Sequence, residues 1–225
     1  MAGLQFKTPA ETDAGFNINT NHAKRLYGGF YFFQRWLNRF NGHGADAEAY
    51  YTLRISNQFS FGEDVIYSPR YNYSGYSAID TLNNKPVFAR RNVQTIENTF
   101  DIKYTFNNIM GLTFRLRHYW SKLNNLQYFD LAPNGDLAPL TSSHFSLDND
   151  QNYNAWNIDM IYVWQFSPGS ELSLAWKSSS LVNNDIARYG YIRNFNDTFN
   201  TPKNNNFSVK VLYYIDYQKL LKKKK

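Results

Sequence analysis

The sequence predicts an all-β protein, an antiparallel transmembrane β-barrel of the outer-membrane type or the C-terminal part of one, with about 9–10 spanning strands. Three observations predict it. Strict period-two alternation of apolar and polar residues runs through most of the chain, in stretches longer than the five or six residues usual for a soluble strand. Charge falls on one phase of that alternation, while aromatic residues flank aliphatic ones on the other. Finally, connections alternate between short and long.

The elements follow in order. Phe16, Ile18 and Thr20 open the pattern over about 15–21, and after a short polar turn an aromatic strand runs from Tyr27 to Trp36. Further strands are expected over about 49–57 and 59–69. From Ile96 to Phe106, the side chains of Phe100, Ile102, Tyr104 and Phe106 share one face, and Glu97, Thr99, Asp101, Lys103 and Thr105 the other. The turn Asn107-Asn108-Ile109-Met110 leads into a partner strand with Leu112, Phe114, Leu116, His118 and Trp120 opposite Thr113, Arg115, Arg117 and Tyr119. Residues 121–151 are read as a connection holding an extra hairpin, Leu123 to Leu131 and Leu137 to Phe145, closed by Pro133-Asn134-Gly135-Asp136. Trp156, Ile158, Met160, Tyr162, Trp164 and Phe166 then join Leu172, Leu174 and Trp176 through Ser167-Pro168-Gly169-Ser170. Pro followed by Gly at the central positions predicts a type II turn, because Pro fixes the first φ and Gly accepts the positive second. A last strand over 206–217 puts Phe207, Val209, Val211, Tyr213, Ile215 and Tyr217 on one face.

Within the best-defined strands the charged residues are Arg54, Glu97, Asp101, Lys103, Arg115, Arg117, Asp159, Glu171, Lys177, Lys210 and Asp216, and all eleven lie on the polar phase. All of them except Glu171 are expected to face a lumen. A soluble sandwich also alternates, but its core seldom carries so many Tyr and Trp, whose polar atoms need partners. Trp120, Trp156 and Trp176 fall at one end of their strands and Phe106, Trp164 and Phe166 at the other, with Ile102, Leu116, Met160 and Leu174 between. Together with Tyr213 and Tyr217 these rings are the expected membrane-interface aromatics, since amphipathic rings prefer the headgroup level. Ten residues at ~3.3 Å, tilted by about 45°, span roughly 23 Å, close to the ~25 Å apolar band of such barrels.

Tight turns follow residues 57, 106 and 166, whereas 37–47, 70–94, 121–151 and 179–205 read as long loops rich in Asn, Gly, Asp and Ser. Short periplasmic turns and long extracellular loops are the asymmetry of an outer-membrane barrel. On that orientation the strand at 206–217 descends and leaves a basic tail, 218–225, in the periplasm. Counting back gives nine strands, with the first also descending. Bacterial single-chain barrels have even strand numbers, so residues 1–217 are expected to be the C-terminal portion of a larger barrel; a complete ten-stranded barrel is the alternative.

Composition narrows the function. The chain has 225 residues, of which 18% are aromatic and 19% charged, with a mean hydropathy of −0.58. Disordered chains are poor in aromatics, and no run approaches the ~18 apolar residues of a membrane helix. Cysteine is absent, so no disulfide framework or thiolate metal site exists. Of the 24 basic residues behind the net charge of +6, five are Lys219 and Lys222 to Lys225, so the excess reads as a tail, and no nucleic-acid partner is expected. The lumenal charges admit two readings: opposite charges that neutralise one another across strands, or the lining of a solute path.

No nucleophile elbow, P-loop, HExxH or dinucleotide fingerprint occurs, and neither catalysis nor a cofactor is expected. His22, His43, His118 and His144 lack ligand spacing. Asp148, Asp150 and Asn152 have the start of a calcium-loop spacing, but Tyr153 stands where that loop needs Gly and Asp159 falls inside a strand, so no metal site is expected.

Three stretches carry a family resemblance: Arg115-Leu116-Arg117-His118-Tyr119-Trp120-Ser121, Phe166-Ser167-Pro168-Gly169-Ser170-Glu171-Leu172, and Phe207 to Tyr217 with its lysine tail. With them the chain resembles the C-terminal region of the Bacteroidota DUF5916 outer-membrane proteins from about residue 50 onward, most strongly over 95–177. These motifs are structural punctuation and carry no catalytic signature. The resemblance implies a parent protein with an N-terminal carbohydrate-binding-family-9-like domain, an outer-membrane location in a Gram-negative bacterium, and partners among membrane lipid, surface proteins and the rest of its own barrel. The expected role is a membrane anchor or scaffold in a glycan-handling assembly. A solute channel with a charged lumen and a soluble carbohydrate-binding β-sandwich are the alternatives.

Overall fold

The computed structural model describes residues 5–141, 149–184, 190–215 and 217. They form β1 (Glu11–Asn19), β2 (Leu26–Leu37), β3 (His43–Arg54), β4 (Phe59–Asp80), β5 (Lys85–Asn107), β6 (Met110–Leu131), β7 (Leu137–Pro139), β8 (Gln151–Ser167), β9 (Ser170–Asn184), the helix α1 (Tyr191–Asn200) and β10 (Asn204–Leu212). One antiparallel sheet contains every strand, in the order β1-β2-β3-β4-β5-β6-β8-β9-β10, with β7 added to the far part of β6. The sheet is open, since β1 and β10 each have a single neighbour.

Register follows the alternation. Phe100 stands across from Leu116, and Leu116 across from Ile158, while the next row aligns Asp101, Arg115, Asp159 and Lys177. Because the side-chain period is two, a slip of one residue would exchange the two faces, so the apolar and charged sets together fix the pairing. At the end we call near, the connections are short: 20–25, 55–58, 108–109 and 168–169. Gly169 has φ 74°, as the type II reading of Pro168-Gly169 requires. The Pro133-Asn134-Gly135-Asp136 turn also forms, with Gly135 at φ 84°, and pairs Leu131 with Leu137; of the expected return strand to Phe145, 142–145 lie outside the described residues.

At the far end the structure corrects the loop reading. Residues 70–80 and 85–94 are β strand, and the β4–β5 connection is only 81–84; the β2–β3 connection is 38–42. Length resides in overhang, for β4, β5 and β6 run 22, 23 and 22 residues. Their far parts hold register irregularities between Arg70 and Tyr73, Tyr76 and Ala78, and Arg90 and Arg91. Such bulges insert a residue and hide a strand from a strict period-two reading. The overhang makes its own core, in which Val87, Ala89 and Tyr128 are buried with Leu140 against them. Phe88 and Phe129 are also buried, stacked on Phe6 and Phe40. Phe40 adopts a left-handed backbone (φ 58°), a strained conformation for an aromatic residue that its stacking on Phe129 holds in place.

Residues 5–10 lie across the far end. Lys7 N donates to Gly135 O and Asn38 N to Ala10 O; the Lys7 ammonium lies 3.6 Å from Asp136; and Arg39 covers the Phe6 ring.

Candidate functional site: a charged hollow behind an apolar belt

The polar phase of β3 to β9 lines an open hollow of about 670 Å³, with Asp64, Asp101, Lys103, Arg115, Arg117, Asp159 and Lys177 among its residues. Residues from six consecutive strands of one sheet bound a common space only if the sheet curls toward that face. Five of these seven charges are paired strand to strand. Arg115 Nε donates to Asp101 at 2.6 Å, and Arg117 to Asp159 at 2.5 Å, with Lys177 Nζ 3.5 Å from the same Asp159. Two further pairs continue the pattern beyond the hollow: Arg70 with Asp46 at 2.6 Å, and Arg35 with Asp13 at 3.1 Å. Partly exposed pairs of this kind contribute roughly 0–1 kcal/mol each. Their effect is to cancel charge in place.

The other expected inward residues are distributed as follows. Lys103 also borders a second hollow at the near end with Arg25, Arg54 and Gln58; Arg54 covers the Tyr27 ring at 4.9 Å. Glu97 stands across from Tyr119 and Ile66 on the same face. Lys210 sits on the polar phase of β10, exposed. Asp216 lies outside the described residues.

The opposite phase is a mostly apolar belt, interrupted by Glu63, which accepts from Tyr51 and Asn98. Phe16, Ile18, Phe30, Phe106, Trp164, Leu174, Phe207, Val209, Val211 and Tyr213 are all exposed, the last four at 61–75%. This belt runs from β1 to β10, and no second sheet covers it among the described residues. No helix among them is long and apolar enough to cross a membrane, which says nothing of strands. Of the expected interface rings, Phe106 and Trp164 are exposed near the short turns, Phe166 stacks on exposed Tyr213, and Tyr217 is exposed. Trp176 donates Nε1 to Asn205 and stacks on Phe207.

Trp120 and Trp156 are different. The sequence places them in an exposed girdle, yet they are only 2% and 4% exposed because α1 packs over them. Tyr191 meets Trp120 and His118, Phe195 meets His118, and Phe199 meets Trp156. Beneath the helix lies a buried polar network. His118 Nε2 donates to Asn154 Oδ1 at 2.6 Å, and Asn154 Nδ2 donates to Asn194 O and Thr198 Oγ1. Trp120 Nε1 donates to Asn152 Oδ1, whose amide donates to Asn194 Oδ1 at 2.8 Å. Burial raises the pKa of the Tyr191 hydroxyl above its usual value.

Sequence reasoning missed this helix, because 179–205 reads as an Asn-rich loop. Tyr191, Phe195 and Phe199, with Asn194 and Thr198, repeat every four residues, a helical signal that was available. Asp150 accepts from Asn124 and from the Asn125 N–H, and Asn152 belongs to the network under α1; Asp148 and His144 lie outside the described residues.

Comparison with known proteins gives one match. The family described as Domain of unknown function (DUF5916) matches over residues 1–224. No curated protein and no solved structure matches the chain.

Proposed function

The chain belongs to the DUF5916 family, and for it we propose the role of a β-barrel anchor in the outer membrane, with its short turns and C-terminus in the periplasm and its overhanging strands at the cell surface. One observation carries this reading: a sheet that pairs most of the charges on one face presents an exposed aromatic and aliphatic belt on the other. In water such a belt is a liability. In a bilayer it is the surface that lipid selects, with strands of about 10 residues matching the hydrocarbon thickness. A soluble sandwich would cover the belt with a second sheet.

The family resemblance adds the setting, a Bacteroidota-like cell surface and a parent protein bearing a carbohydrate-binding domain. There the barrel would hold a glycan-handling assembly at the membrane. The hollow itself favours a second reading, a solute channel. In-place neutralisation by Asp101, Arg115, Arg117, Asp159 and Lys177 favours a filled, structural interior over a selective path.

The anchor reading is tested by replacing Tyr213, Ile215 and Tyr217 together with Ser, which removes the apolar positions that follow the last strand; that strand ends at Leu212 and not at Tyr217 as the alternation predicts. Assembly into the membrane should be abolished, and recovery of normal heat-modifiable barrel from that variant would sink the reading. Conductance of the intact protein in planar bilayers separates anchor from channel: silence supports the anchor, and steady ion-selective steps support the channel.

A further inference from the structure

We propose that the open seam between β1 and β10 is filled by an odd number of additional spanning strands, each seam edge pairing with a strand that runs opposite to both. The inference rests on the barrel reading above and names the partner that completes it.

Direction supplies the argument. Every neighbouring pair in the sheet is antiparallel, and nine strands lie along its path. The first and last therefore point the same way. β1 runs from Glu11 at the far end to Asn19 beside the near-end turn; β10 runs from Asn204, across from Ser179, to Leu212, across from Glu171 near the Pro168-Gly169 turn. Both edges are exposed at every one of their nine residues. Inside hydrocarbon an edge of unpaired N–H and C=O groups is not tolerated, so each must meet another strand. A strand antiparallel to β1 is also antiparallel to β10, so one such strand completes the alternation, as do three or five, but no even number does.

Closure of β1 directly on β10, or of β10 on the β1 of a second copy turned about the membrane normal, would instead create a parallel seam in a sheet that has none. The chemistry of the missing neighbour follows from the edges. Beside Phe207, Val209 and Val211 it presents apolar side chains outward, and beside Lys210, which has no ion pair among the described residues, it presents a polar or acidic side chain inward.

The test uses the full-length protein in its native membrane, with the photo-crosslinking residue benzoylphenylalanine placed singly at Asn17, Asn206 or Leu212, all on the polar phase of the two edges. Crosslinked peptides are then sequenced by mass spectrometry. The expected result is an extended segment captured in antiparallel order, with Leu212 reaching positions N-terminal to those reached from Asn206, and Asn17 also reaching a strand of the same direction. Crosslinks between β1 and β10 within one chain, crosslinks to β1 of a second chain at dimer mass, a segment captured in parallel order, or no protein adduct from any position would each overturn it. Recovery of the protein in the aqueous phase on detergent partition, before any irradiation, would instead overturn the barrel reading and the inference with it.

Discussion

Between Phe100 and Phe106, β5 alternates without interruption, and its apolar side chains are only partly covered by protein. Between Val87 and Ala89, in the same strand, three consecutive residues are buried, with Val87 and Ala89 fully so and Phe88 at 7%. The near part of the strand leaves one face for its surroundings to cover. The far part is covered on both sides, by Tyr128 and Leu140 on one and by Phe6 and Phe129 on the other. A strand that builds its own core needs no solvent of matching polarity, so the change along β5 marks where the belt ends and a self-contained surface structure begins.

Five substitutions break or sharpen that contrast. Phe129→Ala removes a buried ring from the overhang and should cost about 3–5 kcal/mol there. Limited proteolysis should then cut the far parts of β4 to β6 while the near part of the sheet survives; loss of the near part as well would show that the two parts are one cooperative unit. Leu116→Arg, on the apolar phase between Phe100 and Ile158, should destabilise the protein by about 2–4 kcal/mol in lipid vesicles, as a charge at mid-belt does. Thr113→Arg, on the other phase, should change stability by much less, and equal effects in denaturant titrations would contradict the assignment of the two faces. Asn152→Ala leaves the Trp120 indole and the Asn194 amide short of a partner, a loss of about 1–3 kcal/mol that should appear as faster hydrogen exchange in α1. Asp101→Asn breaks a single partly exposed pair with Arg115 and should shift stability by about 0.2–1 kcal/mol. A larger shift would mean that the charges act as one coupled network.

The near part of the sheet was legible in the sequence because alternation there is uninterrupted. Phe100, Ile102 and Tyr104 against Asp101 and Lys103 fix both pairing and faces, and Pro168-Gly169 fixes its turn. The overhang was not legible, since the register irregularities near Asn72, Ser77 and Arg90 break the period, and strands covered on both faces lose alternation altogether. The ladder of opposite charges could be read as residue types on one phase. That Arg117 and Lys177 share Asp159 required the register across β6, β8 and β9. Trp120 and Trp156 misled because a buried ring and an interfacial ring look alike in sequence, and only the four-residue repeat from Tyr191 to Phe199 identifies their cover.

The strap of residues 5–10 has a consequence for the order of assembly. Strand pairings here join elements that are neighbours along the chain, mostly through turns of a few residues, so their loop-closure entropy is small. The contacts of Phe6 with Phe88 and of Lys7 with Gly135 and Asp136 join residues 6 and 7 to β5 and to the turn after β6, across four and five intervening hairpins. Contacts of such high sequence separation form late, once the ladder between them already holds both ends in place. The strap therefore acts as a latch that engages only after β1 to β6 have paired, and a spectroscopic probe at Phe6 would report that step.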